Sequence, residues 1–340
     1  MPAASPPASM PVDLVCEGGG VKGIGLVGAI AGLEEHGYRF ERMAGTSAGA
    51  IVATLLASGY TAGEVRAIIQ SLEFERFKDP TWQTRLPVVG GLASLLARQG
   101  LYTGDYLHQV MHHYLEAKGV RTFGDLHRLA ATGDDRDRYA AQVIASDITG
   151  RRLLVLPRDA RKLGIEPDEL RVADAVRMSM SIPIFFTPVR VNRHLIVDGG
   201  LLSNFPVWLF DSEDPPRWPT FGLKLVEPHP RASIGARFSD DPRTPHGMSA
   251  IVDYAKGLIA TMSEFHDRLY LESHTFARTI AIPTLGIGTT DFGLTPEQAE
   301  QLYQAGRTAA EAFLASWDFA AYIALFRRGG ERRSLAETLR

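Results

Sequence analysis

The apolar positions of this chain fall into short runs cut by glycine and into longer stretches without a polar face. Residues 12–16 form one such run, stopped by Glu17-Gly18-Gly19-Gly20, and predict a buried strand. Over residues 22–33 nearly every face is apolar (Ile24, Leu26, Val27, Ile30, Leu33) before the chain turns polar and meets Gly37. That pattern predicts a buried helix ended by glycine. A short strand at residues 42–44, a turn at Gly45-Thr46-Ser47-Ala48-Gly49 and a second apolar helix over residues 48–57 repeat the order. Strand, glycine turn and helix, twice over, imply a parallel sheet covered on both faces.

Beyond Gly59 the signals continue. Thr61-x-x-Glu64 has the form of a capping box, and helical spacing resumes over residues 105–118. Residues 142–146 and 153–156 read as strands joined by Asp147-Ile148-Thr149-Gly150, and residues 172–180 as a helix ended by Ile182-Pro183. Residues 189–197 read as a strand pair turning at Asn192-Arg193 and running into Asp198-Gly199-Gly200. Strands follow at 220–226 and 280–282, and Thr295-Pro296-Glu297-Gln298 caps a final long helix to about Trp317. Two stretches break the pattern. Residues 229–246 read as a long loop. Residues 77–100 are apolar yet aperiodic, and within them residues 82–96 are a candidate lid or interface-binding surface, with a small core packed under a loop as the equal alternative. The organisation expected is a Pro/Ala/Ser-rich tail at 1–11, one catalytic domain over 12–316 and an extension at 317–340.

With 340 residues the chain is long enough to bury about three quarters of its unfolded surface. Its 36 Lys+Arg against 39 Asp+Glu leave a net charge of −3, which excludes nucleic-acid binding driven by bulk charge. The single cysteine excludes an intrachain disulfide. No apolar run reaches the length of about 18 residues that a spanning helix needs, and the tail lacks the features of a secretion signal. The expectation is a soluble, cytoplasmic protein.

Three glycine-rich turns carry candidate chemistry. Gly45-x-Ser47-x-Gly49 lies where a strand becomes a helix, the context of a nucleophile elbow, where a tight strained turn projects the serine hydroxyl. Serine is also an ordinary N-cap, which is the plain alternative. Gly18-x-Gly20-x-x-Gly23 also follows a strand and opens a helix. It fits a dinucleotide fingerprint, or an oxyanion hole whose N–H groups hold a tetrahedral intermediate, or simply close helix–strand packing. The dinucleotide reading wants an acidic residue at the end of the second strand, and that position is filled by the serine turn, which favours the oxyanion hole. A serine needs a base. The histidines, among them His194, His229, His246, His266 and His274, stand outside glycine- or aspartate-rich strand ends, whereas Asp198-Gly199-Gly200 leaves an apolar strand into a glycine turn. An ordinary Asp-Gly turn is the plain alternative, and a Ser–Asp dyad the functional one. Free aspartate is a poor base at a pKa near ~4, so burial would have to raise it.

Taken in order, these turns resemble the patatin-like phospholipases. The matching residues are Glu17-Gly18-Gly19-Gly20-Val21-Lys22-Gly23, Gly45-Thr46-Ser47-Ala48-Gly49 and Asp198-Gly199-Gly200. Ala145-Ser146-Asp147-Ile148-Thr149-Gly150, Ser179-Met180-Ser181-Ile182-Pro183 and the tail from Thr290-Asp291-Phe292 to Gly306 match its internal landmarks. Glu17 departs mildly from the family's usual aspartate. The resemblance covers about residues 12–316. It implies a three-layer α/β/α fold with a mainly parallel central sheet, a Ser47–Asp198 dyad, and an oxyanion hole of Gly18, Gly19, Gly20, Val21, Lys22 and Gly23. It also implies no cofactor or metal and the hydrolysis of fatty-acyl esters in lipids.

On that reading Asp198 accepts the Ser47 proton, amides around Gly19, Gly20 and Val21 hold the oxyanion, and an acyl-enzyme forms at Ser47. Lys22 is expected to be a solvated lysine on the loop's outer edge, with attraction of a headgroup phosphate as the alternative. Phe185 and Phe186 are expected in the core, with the wall of an acyl channel as their other role. Phe319 to Phe326, followed by Arg327-Arg328 and Arg332-Arg333, reads as a surface helix or as a transient contact with anionic membranes. The partners expected are a phospholipid or other lipid ester and no nucleic acid. An esterase or acyltransferase using the same dyad, or a non-catalytic nucleotide- or lipid-binding module, are the alternatives.

Overall fold

A computed structural model describes residues 9–72, 100–128, 137–212, 214–227, 257, 261, 273–289, 291 and 293–326. Most of the candidate lid at 77–100 lies outside the described residues. So do most of the tail at 1–11, the loop at 229–246, residues 327–340 and the positions of His229, His246 and His266.

The central sheet is built first from β1 (Met10–Cys16) and β2 (Tyr38–Thr46), paired in parallel so that Cys16 lies beside Gly45. Strand β2 is longer than its apolar core predicts. Its first half alternates apolar and charged residues, and those charges are paired: Arg42 with Asp13 and Asp137, and Glu41 with Arg128 at 3.0 Å. Helix α1 (Gly23–Glu35) follows β1 and is buried on every face through Leu33, as its unbroken apolar stretch requires. Helix α2 (Ala48–Ala57) follows β2 and is equally buried. Helix α3 (Ala62–Ser71) begins at the predicted capping box, with Thr61 and Glu64 each satisfying the other's backbone.

A second, two-stranded parallel sheet pairs β3 (Gly100–Tyr102) with a later strand, and α4 (Asp105–Ala117) runs on from it. The main sheet then gains β4 (Ala141–Asp147), fully buried, and its antiparallel neighbour β5 (Arg152–Leu156). Helix α5 (Val172–Ser179) leads to β6 (Ile184–Phe186), the partner of β3, and to the hairpin β7 (Val189–Val191) and β8 (His194–Asp198). Strands β9 (Thr220–Val226) and β10 (Thr279–Pro283) complete the parallel part. Helix α6 (Pro296–Leu314) has the expected Thr295–Gln298 capping box with proline at its start, and α7 (Phe319–Phe326) closes the described chain.

The sheet order is β10-β9-β1-β2-β4-β8-β7, with β5 against β4. Five neighbouring strands, β10 to β4, are parallel, which is the mainly parallel α/β sheet expected. One face carries a large apolar core shared by α1, α2, α3, α5 and α6. On the other face Val15, Ala44, Ile144 and Val155 pack against Phe205, Val207, Leu209 and Phe210.

The site depends on one detail of pairing. Strand β5 runs along one side of β4 from Val143 to Asp147. The other side is shared: β2 pairs with it as far as Thr46 beside Ile144, and β8 takes over with Asp198 beside Ala145. The chain therefore leaves β2 for the serine turn at the spot where β8 arrives and ends.

Candidate active site

Ser47 occupies the turn between β2 and α2 with φ 54° and ψ −124°, a left-handed backbone that a non-glycine residue adopts at a cost of roughly 1–3 kcal/mol. Close packing beneath the turn maintains it: a Cβ on Gly49 would lie 2.3 Å from the Cys16 carbonyl oxygen. The Ser47 amide donates to Ser179 Oγ at 2.9 Å, and its hydroxyl donates to the Met180 sulfur at 3.3 Å. Ser47 is the N-cap of α2, so its hydroxyl lies at the positive end of a ten-residue helix.

Asp198 is buried at the end of β8. Its amide donates to the Ser181 carbonyl at 2.9 Å, and its Oδ1 accepts from the Gly200 amide at 2.7 Å. Oδ2 is buried without a hydrogen-bond partner of normal geometry. Burial pushes the carboxyl up to about 7, against the opposing pull of the Gly200 amide and the nearby Ser47 hydroxyl. Ser47 and Asp198, singled out separately in the sequence, thus meet. Among the described residues no histidine hydrogen-bonds to either of them; His194 instead pairs with Asp147 at 2.9 Å.

The glycine loop lies beside this pair, with Gly18 close to Ser47 Cβ. Gly20 has φ +57°, and a Cβ there would lie 2.0 Å from the Thr289 carbonyl oxygen. Two expectations change here. The Val21 amide is committed to the Thr289 carbonyl at 3.2 Å and the Lys22 amide to Gly19 at 3.2 Å, while Gly18 donates to Asn204 at 3.1 Å. Gly23 donates to Gly20 within the first turn. The Gly19 and Gly20 amides have no acceptor among the described residues, so they are the loop's available donors. Lys22 is buried, not solvated. Burial lowers its pKa, opposed by Glu17, Glu227 and Asp291. Glu17 ties the loop's base to β9, accepting from Lys224 Nζ at 2.9 Å and the Leu225 amide at 2.5 Å.

An apolar crevice opens next to the serine. Gly20, Ala48, Ile51, Ile69, Met180 and Phe186 are among its lining residues. Phe186 therefore serves both roles, being buried and part of the crevice wall, while Phe185 packs against Tyr102 in a tilted ring contact with centroids 4.8 Å apart. Four residues around the site had no role assigned from sequence: Ser179, Met180, Asn204 and Thr289. The first two lie in a stretch that sequence reading marked, and Asn204 follows Asp198-Gly199-Gly200 closely enough to have been suspected.

A strained serine turn between a strand and a helix of a mainly parallel sheet has the geometry of a nucleophile elbow. The patatin-like phospholipase profile matches residues 14–211. The uncharacterized protein YqhO of Bacillus subtilis (strain 168) is 38% identical over 314 residues, covering 91% of this chain and all of that one. A probable lipid hydrolase, 463L of Invertebrate iridescent virus 6, is 25% identical over 203 residues, 57% of this chain and 61% of its own. Among solved structures, VipD from Legionella pneumophila superposes with a TM-score of 0.54 at 19% identity, covering 92% of this chain and 68% of VipD, which is a likeness of fold. The chain belongs to the patatin-like phospholipase family. In its general class it is a lipid acyl hydrolase.

Proposed function

We propose that this chain is a serine phospholipase A or lysophospholipase that works through a Ser47–Asp198 dyad, its catalytic unit spanning residues 12–316. One observation carries the reading: the hydroxyl of a strained Ser47 stands beside a buried carboxyl whose Oδ2 has no other hydrogen-bond partner and whose pKa is pushed up to about 7.

For reaction, the Ser47 hydroxyl turns from the Met180 sulfur to Asp198 Oδ2. Oγ then bonds to the acyl carbon as its proton passes to the carboxylate. The carbonyl oxygen becomes an oxyanion held by the amides of Gly19 and Gly20 and by the Ala48 amide at the start of α2. Collapse breaks the ester C–O bond, and the leaving alcohol takes the proton from Asp198. Water repeats the sequence in reverse, giving up its proton to Asp198 and releasing the fatty acid. The crevice beside Met180 and Phe186 receives the acyl chain, and the carboxyl gains basicity from the burial that raises its pKa.

The test is fatty-acid release from mixed phospholipid vesicles by wild type, Ser47→Ala and Asp198→Asn, with folding checked by circular dichroism. Release lost in both variants supports the dyad. Release that survives Asp198→Asn but not Ser47→Ala assigns the base to another residue. Cleavage of simple esters without phospholipid cleavage moves the assignment to an esterase on another acyl ester.

A further inference from the structure

The edge of the sheet on which Ser47 opens carries two exposed aliphatic tips. Ile148, in the turn between β4 and β5, is 45% exposed, and Leu285, just after β10, is 47% exposed. Their height above the serine can be counted on the ladders. Cys16, Gly45, Val143, Leu223 and Ile280 lie in one row across the sheet. Ser47 is two residues beyond that row, and Ile148 and Leu285 are each five beyond it. At ~3.3 Å per residue both tips can stand up to about 10 Å above Ser47. They flank it as well, since β10 and β4 lie on opposite sides of β1 and β2, roughly 19 Å apart at about 4.8 Å per strand.

Both tips are held out by their own turns. Leu285 has φ 55°, a left-handed backbone disfavoured for a side chain of its size. The Thr284 amide donates to Val226 at 2.9 Å and the Ile287 amide to Thr284 at 3.0 Å, so Ile287 packs inward while Leu285 faces out. Around Ile148, its own amide donates to Leu195 at 3.0 Å, and the Gly150 amide donates to Asp147 Oδ1 at 2.8 Å. Charge distinguishes the two sides. Arg151 in the same turn and Arg193 in the neighbouring β7–β8 turn are exposed and have no carboxylate partner among the described residues, because Asp147 is already engaged by Arg152 and His194. The acidic groups on the Leu285 side, Glu227 and Asp291, act on the buried Lys22.

We infer that this rim is a docking surface for an anionic bilayer: Ile148 and Leu285 enter the interface on either side of the cleft, and Arg151 and Arg193 meet headgroup phosphates beside Ile148. Guanidinium groups suit phosphate oxygens, and paired apolar contacts fix the orientation that turns Ser47 toward the lipid. The inference rests on the reading of the site as a lipid hydrolase.

The test uses the full chain with vesicles of phosphatidylcholine alone and of phosphatidylcholine with phosphatidylglycerol. Wild type should co-sediment better with the anionic vesicles. Ile148→Ser with Leu285→Ser should lower that partitioning and vesicle hydrolysis by about tenfold or more, a scale set by the loss of buried aliphatic area. Hydrolysis of a soluble short-chain p-nitrophenyl ester should stay at the wild-type rate. Arg151→Glu with Arg193→Glu should erase the preference for anionic lipid. Wild-type protein that ignores both vesicles, or variants that partition like wild type, overturn the surface; so does a parallel fall in soluble-ester hydrolysis. Ser47→Ala separates the two readings: vesicle binding without hydrolysis in that variant keeps the surface whatever reaction the serine performs.

Discussion

Gly18 and Asn204 hold each other twice: the Gly18 amide donates to the Asn204 carbonyl at 3.1 Å, and Asn204 Nδ2 donates to the Gly18 carbonyl at 3.0 Å. Asn204 thereby clasps the glycine loop to the turn that follows Asp198, although 186 positions separate the two residues. Its Nδ2 also reaches Glu17 Oε1 at 3.4 Å.

Asn204→Ala is expected to lower kcat by about 10- to 100-fold with little change in KM, and to cost about 1 kcal/mol of stability for the lost part-buried hydrogen bonds. Asn204→Asp should be worse, because it sets a carboxylate against Glu17. Steady-state kinetics beside thermal denaturation check both. A parallel change in KM and kcat would make Asn204 merely a fold residue.

On the proposed mechanism, activity should rise with pH and level off above an apparent pKa near about 7, since Asp198 would have to be unprotonated to accept the serine proton. Stability moves the other way. In the unfolded chain the carboxyl releases its proton near 3.8, and in the folded protein near about 7. Between those values the folded state holds the extra proton. The stability linked to this group is therefore complete below the lower value and lost as pH rises through the higher one. Asp198→Asn should accordingly raise Tm relative to wild type at pH 8 and change it little at pH 4. A kcat/KM profile flat from pH 5 to 9 would contradict the assignment.

The thioether of Met180 is a weak acceptor, and it holds the Ser47 hydroxyl at 3.3 Å. Met180→Leu, close to volume-conserving, should cost less than about 1.5 kcal/mol and leave activity intact or slightly higher, because the hydroxyl is then released to Asp198. Oxidation of the sulfur to a sulfoxide makes it a polar acceptor at the serine. Treatment with peroxide should thus inhibit the wild type more than Met180→Leu, measured as residual ester hydrolysis.

Ile51 lines the crevice from the first turns of α2. Ile51→Phe would fill part of that space at a cost of roughly 1–3 kcal/mol from overpacking. Rates on p-nitrophenyl palmitate should fall at least tenfold more than rates on the butyrate. Equal losses on both esters would place the acyl chain elsewhere.

Much of this site could be read from the sequence because its chemistry is written in local punctuation. The serine turn, the glycine loop and Asp198-Gly199-Gly200 each need glycine where backbones nearly touch, and that need shows in the residues themselves. Buried strands and helices showed as apolar runs, and the capping boxes at Thr61 and Thr295 as short polar patterns. What escaped depended on contacts between distant segments. Lys22 reads as a surface lysine yet is buried in the fold, and a hydrogen bond to the distant Thr289 carbonyl removes the Val21 amide from the candidate oxyanion donors. Strands β3 and β6 are three residues each and pair only with one another, so neither has a periodicity long enough to notice. Met180 and Asn204 are ordinary residue types whose importance comes from the single atom each one faces.

Strands β2 and β8 meet end to end along one side of β4, on the neighbouring rungs Ile144 and Ala145. Ser47 and Asp198 are therefore spaced by the repeat of a single ladder, not by the long chain that joins them. Insertions and replacements in that connecting chain can reshape what enters the cleft while the reacting atoms keep their separation. Chemistry and substrate choice become separately inheritable, the first fixed in the rungs and the second free to diverge in the fittings around them.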